Sequence, residues 1–110
     1  MEDIKQLDEL DLTGNKLSDI TCLSELTHFN SLYLSFNNLT KLQPLEKHNN
    51  LLALTLDENQ LDDLAPLAGL SKLNLLSLNS NKISDLRPIT KLIYLKYHHD
   101  WSDNPYNLPF

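Results

Sequence analysis

The chain has 110 residues, 15 acidic and nine basic, for a net charge of −6. That length fits one domain, and the acidic balance argues against a phosphate-backbone binder, which needs clustered Lys and Arg. A single cysteine, Cys22, excludes an intrachain disulfide framework, and no run of about 18 apolar residues exists to span a membrane.

The chain opens MEDIKQLDEL, without the basic start and apolar stretch of a signal peptide. From Leu7 onward a repeat takes over. Asn15, Asn37, Asn59 and Asn81 stand 22 residues apart, each inside the pattern LxxLxLxxNxL. The pattern divides the chain into four full repeats, 7–28, 29–50, 51–72 and 73–94, numbered here as coils 1 to 4. Residues 1–6 fit an incomplete N-terminal coil, with Met1 and Ile4 at apolar positions, and 95–110 fit a degenerate C-terminal capping repeat.

Positions 1, 4, 6, 11, 14, 17 and 20 of each repeat should share one core. Of those 28 positions 27 are apolar: 23 Leu, Ile20, Ile83, Ile89 and Phe29. The exception is His48, expected as an edge histidine hydrogen-bonded to nearby backbone, with a pH-switch role as the sharper reading. Positions 3 to 7 alternate outward and inward as a short strand does, from Glu9 to Thr13 in coil 1. Pro44, Pro66 and Pro88 all fall at position 16, which forbids a regular α-helix on the return side. With apolar residues three apart there, a 3₁₀ or irregular segment is predicted. The repeated asparagines sit where the strand turns away, so their amides should pair with backbone left open by the turn and tie coil to coil. Ser18 and Ser84 are expected to satisfy backbone groups at the turn out of the strand.

These residues, above all NQLDDLAPLAGLSKLNLLSLNSNKISDLRPI at 59–89, resemble the leucine-rich repeat family in its 22-residue internalin-like and phosphatase-regulator-like forms. The resemblance implies an α/β solenoid: a curved right-handed coil with a short parallel β-sheet on its concave face and 3₁₀ or irregular convex segments. It also implies protein recognition through that face. Internalins usually carry a helical cap before the repeats, and the sequence ahead of Leu7 leaves no room for one.

The fifth repeat is ambiguous. In strict register His98 and Asp100 point inward. A one-residue shift points His99 and Trp101 inward, puts Asn104 at the ladder position and closes the core end with Trp101, Tyr106 and Phe110. The shifted register is preferred, because the strict one buries charge. His98, His99, Asp100 and Asp103 contain metal-ligand types, but neighbouring strand residues face opposite ways, so a capping strand is favoured and no metal is assigned. Cys22 takes the proline position on the convex side, with no base beside it. Nothing supports a phosphate loop or a nucleophilic triad, so an enzyme is not expected and no cofactor is implied.

The outward rows are positions 3, 5, 7 and 8. None of those 16 residues is basic, and four are acidic: Glu9, Asp11, Asp57 and Glu58. Tyr33 and Phe36 have no core position to fill, and exposed aromatics are typical binding anchors. With Ala53, Leu52 and Leu75 they are expected to make an apolar strip flanked by the acids. The candidate binding residues are therefore Glu9, Asp11, Tyr33, Phe36, Thr55, Asp57, Glu58, Leu75, Ser77 and Asn79, and the structural ladder is Asn15, Asn37, Asn59, Asn81 and Asn104. The function expected is a non-catalytic module that binds a basic, partly apolar protein surface, as an inhibitor or adaptor; neither nucleic acid nor membrane is a partner. The alternatives are a segment of a longer array, a unit that self-associates through an uncapped end, and a bacterial effector delivered into a host cell. The missing signal peptide and disulfides suggest the cytoplasm.

Overall fold

A computed structural model describes residues 8–92 and the backbone pairing of Tyr97 and His98. The element order follows the repeat. Strands β1 (Glu9–Asp11), β2 (Ser31–Tyr33), β3 (Ala53–Thr55), β4 (Leu75–Ser77) and β5 (Tyr97–His98) lie side by side, in chain order, in one parallel sheet. Every strand pair is offset by 22 residues, as in Glu9 with Ser31, Ser31 with Ala53 and Ala53 with Leu75. Strands β1 to β4 are three residues each, shorter than predicted. The ladder continues past it through single bonds, such as Leu34 N–H to the Thr55 carbonyl (2.9 Å) and Phe36 N–H to the Asp57 carbonyl (2.8 Å).

The return side carries one 3₁₀ turn per coil: Thr21–Leu23, Gln43–Leu45, Ala65–Leu67 and Arg87–Ile89. The prolines open the last three, where a missing N–H costs no hydrogen bond. Between sheet and turns runs one core. Leu7 lies outside the described residues. Every other predicted core position is buried, save Leu10, Leu12, Leu17 and Leu26 of coil 1, which are partly buried against the core.

The asparagine ladder is present and continuous through coils 2 to 4. Asn59 donates its amide to the Leu34 carbonyl of the coil before (3.0 Å) and to Leu56 of its own (3.1 Å), and accepts Leu39 N–H at 3.0 Å. Asn81 repeats this with Leu56, Leu78 and Leu61. Asn37 accepts both Asn15 N–H (3.1 Å) and Leu17 N–H (2.8 Å). Asn15 itself is exposed, and its amide bonds carbonyls of its own coil, Leu12 and Thr13. Asn104 lies outside the described residues.

Two expectations need correction. The turn-satisfying role given to Ser18 and Ser84 belongs one residue later. Asp19, Asp63 and Asp85 accept the N–H of Thr21 (2.9 Å), Ala65 (2.9 Å) and Arg87 (3.0 Å). A carboxylate reaches two residues ahead and is the stronger acceptor. The fifth strand also pairs in strict register, Leu75 with Tyr97 and Leu76 with His98, so the preferred shift is absent from this strand pair. The parallel ladder hands on the 22-residue offset, and in that frame the first core position is Leu95, where the shift would put Lys96. Trp101, Tyr106, Phe110, Met1 and Ile4, with the cap roles predicted for them, lie outside the described residues.

Candidate protein-binding surface

The register places the outward side chains in rows that run across the coils. The position-5 row is Asp11, Tyr33, Thr55 and Ser77; the position-3 row is Glu9, Ser31, Ala53 and Leu75. Glu9, Asp11, Phe36 and Glu58 are exposed, while Tyr33, Thr55, Asp57, Leu75 and Asn79 are half-buried. Ser77 is only 3% exposed, so it is not the surface contact predicted for it. Its hydroxyl donates to Asp57 Oδ1 at 2.6 Å, which turns it into the sheet surface instead of away from it.

That bond belongs to a second ladder, which the sequence pattern did not disclose. At position 7 the side chains of coils 2 and 3 accept the position-7 N–H of the next coil. Ser35 Oγ takes Asp57 N–H at 3.0 Å, and Asp57 Oδ1 takes Asn79 N–H at 2.7 Å. Asn79 Oδ1 comes next in the series and is buried with no partner. Asp57 is therefore half structural: one carboxylate oxygen ties coil 3 to coil 4. Because Ser, Asp and Asn share only an acceptor oxygen, the row has no single-letter signature.

The position-8 row is the more unusual one. Gly14, Phe36, Glu58 and Ser80 all hold left-handed backbone, with φ of 74°, 59°, 57° and 57°. Glycine suits that region; a bulky side chain costs about 1–2 kcal/mol there. Phe36 is nonetheless in it, and it is 60% exposed, one of two exposed large apolar residues among those described. The other, Leu52, stands at 40% exposure ahead of β3, on the far side of the strands from Phe36. The apolar strip expected to join them is not continuous.

Among the described residues the acids of this face form no ion pair. Among the described residues the sole ion pair is Arg87 with Asp85 (2.8 Å), on the return side. The Arg87 side chain and amide hold the Asp85 carboxyl down at about 2. On the concave face the Thr13 hydroxyl, then its amide, lowers Asp11 below the usual carboxylate range. That carboxylate is ionised at neutral pH.

The return side offers less. A groove of about 600 Å³ runs between coils 1 and 2, lined by Ser18, Asp19, Thr21, Thr40, Lys41 and Gln43. It lies where Lys41 replaces the aspartate of the other turns. Cys22 is exposed and free. No three His, Cys, Asp or Glu side chains gather in a metal-ligating group among the described residues, and no described helix is long and apolar enough to cross a membrane.

His48 is fully buried. Its Nε2 meets the Leu23 carbonyl of coil 1 at 2.7 Å, so that nitrogen carries the proton, but Nδ1 is buried without the partner predicted for it. Burial pushes its pKa down, the Leu23 carbonyl pulls it partly back, and the charge of His28 lowers it further.

With this geometry in place, solved structures supply the relatives. Internalin C2 from Listeria monocytogenes superposes with a TM-score of 0.81 at 38% identity over 90% of this chain. The chain is an internalin-like leucine-rich repeat solenoid. The functional domain of InlJ from the same organism matches with a TM-score of 0.78 at 28% identity over 94% of the chain. InlF, at 23% identity and a TM-score of 0.57, shares the fold. The chain spans 47% of internalin C2 and 22% of InlJ, less than half of either molecule. The InlJ domain includes a cysteine ladder, whereas this solenoid has one cysteine and ties its coils with asparagine. No protein-family model and no curated protein matches the chain.

Proposed function

We propose that the solenoid is a non-catalytic protein-binding module whose concave face recognises a basic, partly apolar protein surface. The observation that carries this reading is Phe36. It has no core role, it is the most exposed large apolar residue described, and its backbone is one that glycine would hold at lower cost. Nothing in the fold needs a phenylalanine there, and coil 1 holds the same left-handed position-8 backbone with Gly14. The internalin-like fold supports a binding role at the coarse level. Glu9, Asp11 and Glu58 give the face one sign of charge, which speeds the approach of an oppositely charged partner and weakens with salt. Tyr33 and Phe36 supply the desolvated contact that holds the complex. An inhibitor or adaptor acts through such occupancy alone, and an acceptor for a basic surface is the form of it proposed here.

The test is kinetic. A protein recovered on the immobilised chain is purified and its binding followed against three variants. Glu58→Gln should slow association and flatten its salt dependence. Tyr33→Ala should speed dissociation and leave association nearly unchanged. Lys41→Ala, in the return-side groove, should change neither. A partner that responds to Lys41→Ala and ignores the other two contradicts the assignment.

A further inference from the structure

We infer that the step from Phe36 to Glu58 receives an arginine side chain of the partner, its guanidinium stacked on the Phe36 ring and forked onto the Glu58 carboxylate. This rests on the concave-face reading above and names the chemistry of one contact within it. Phe36 and Glu58 are consecutive members of the position-8 row, one coil apart, at the strand spacing of roughly 4.8 Å. Both are exposed, and the carboxylate of Glu58 has no hydrogen bond or ion pair among the described residues. Asp57 adds a second negative charge next to it, with Oδ1 held by Ser77 and Asn79 and Oδ2 left open.

The other flank of Phe36 is Gly14, where an added Cβ would meet nothing within 4 Å. Phe36 thus stands in its row between an acid and a glycine that has open space beside it. An apolar side chain would cover the ring and strand the Glu58 charge. An ammonium satisfies the charge but is strongly hydrated and does not stack as a plane. A guanidinium is planar, more weakly hydrated, and presents two parallel N–H groups to a carboxylate while its face lies on an aromatic ring. The open space beside Gly14 leaves room for the aliphatic stem.

The probe is the capped tripeptide Ala-Arg-Ala, titrated into the intact ¹⁵N-labelled chain, beside its lysine and citrulline counterparts. The arginine peptide should shift the Phe36 and Glu58 amides saturably and bind about fivefold more tightly than the lysine peptide. The citrulline peptide, planar but uncharged, should leave them in place. Phe36→Gly and Glu58→Gln should each abolish the arginine effect, and a preserved amide spectrum in each variant shows that the fold survives. Equal binding of the arginine and lysine peptides, or shifts spread evenly over Glu9, Asp62 and Glu58, overturns the inference. Either result leaves the concave-face reading to the partner kinetics, where Tyr33→Ala decides it.

Discussion

Coils 2 and 3 share a backbone and differ in chemistry. Both have a three-residue strand, a left-handed residue at position 8, a buried ladder asparagine and a 3₁₀ turn opened by proline. Coil 3 is close to pure framework: all seven of its core positions are leucine, and its turn is capped by Asp63. Coil 2 departs at nearly every place where departure has a cost. Its first core position is Phe29, its last is His48 with one nitrogen unpaired, Lys41 replaces the capping aspartate, and Phe36 occupies the left-handed ridge. The scaffold is therefore tolerant enough to hold irregular side chains in register. What distinguishes one irregularity from another is whether the core or the surface absorbs it.

Truncation separates the two kinds most strongly. Phe29 is fully buried, with its ring against His28 at a centroid distance of 4.4 Å. Phe29→Ala should cost about 3–5 kcal/mol of stability, as a large buried aromatic does. Leu51→Ala, at the same position of coil 3, should cost about 2–5 kcal/mol. Chemical denaturation of both variants checks this, and a loss well under 1 kcal/mol for Phe29 would mean that coil 2 is not framework at all.

The ladder is the feature the two coils share. Asn59→Leu should cost about 1–3 kcal/mol, because the Leu39 N–H is left buried without a partner, while the Leu34 and Leu56 carbonyls keep the amides of Asn37 and Asn81. Asn38→Leu, at an exposed site whose amide reaches only the Lys16 carbonyl at 3.4 Å, should cost far less. Equal melting midpoints would remove the ladder from the account.

His48 sharpens the contrast through pH. Its folded pKa lies below the ordinary imidazole value of about 6.5, so on acidification the unfolded chain takes up the proton first. The stability it allows is complete above about pH 6.5 and falls as the pH drops towards the lower folded value. His48→Leu restores the residue of coils 1, 3 and 4 and leaves the Leu23 carbonyl its bond from Leu26 N–H. The variant should gain about 1–3 kcal/mol from removal of the unpaired nitrogen and lose this part of the acid sensitivity. Melting curves at pH 7.5 and 5.5 for both proteins test it; parallel curves contradict it.

The framework was legible in the sequence because its constraints recur. A leucine that must be buried every 22 residues, and an asparagine that must bond its neighbour coil, leave the same letter four times. The position-7 ladder leaves no such mark, because Ser35, Asp57 and Asn79 fill its places with three different side chains. For the same reason Ser77 and Asp57 were expected to face a partner, while the structure uses them partly to join coils. The aspartates that cap the turns do recur, at 19, 63 and 85, and that period was the available signal. The exposure of Phe36 followed from the repeat, but its left-handed backbone did not, since Gly14 is its sole glycine counterpart. The strict register of β5 departs from the one that avoidance of buried charge favours, because the backbone ladder sets the pairing.

The most direct test of the account is Phe36→Gly, read for stability and for binding in the same preparation. Relief of left-handed strain, about 1–2 kcal/mol, offsets the freedom that glycine adds to the unfolded chain, about 0.4–1 kcal/mol, and the loss of a mostly exposed ring. The variant should melt within about 0.5 kcal/mol of the parent or above it, while its captured partner dissociates at least tenfold faster, a loss of about 1.4 kcal/mol or more. A melt that collapses like that of Phe29→Ala, or a partner held as tightly as before, would show that Phe36 belongs to the framework and that binding lies elsewhere on the solenoid.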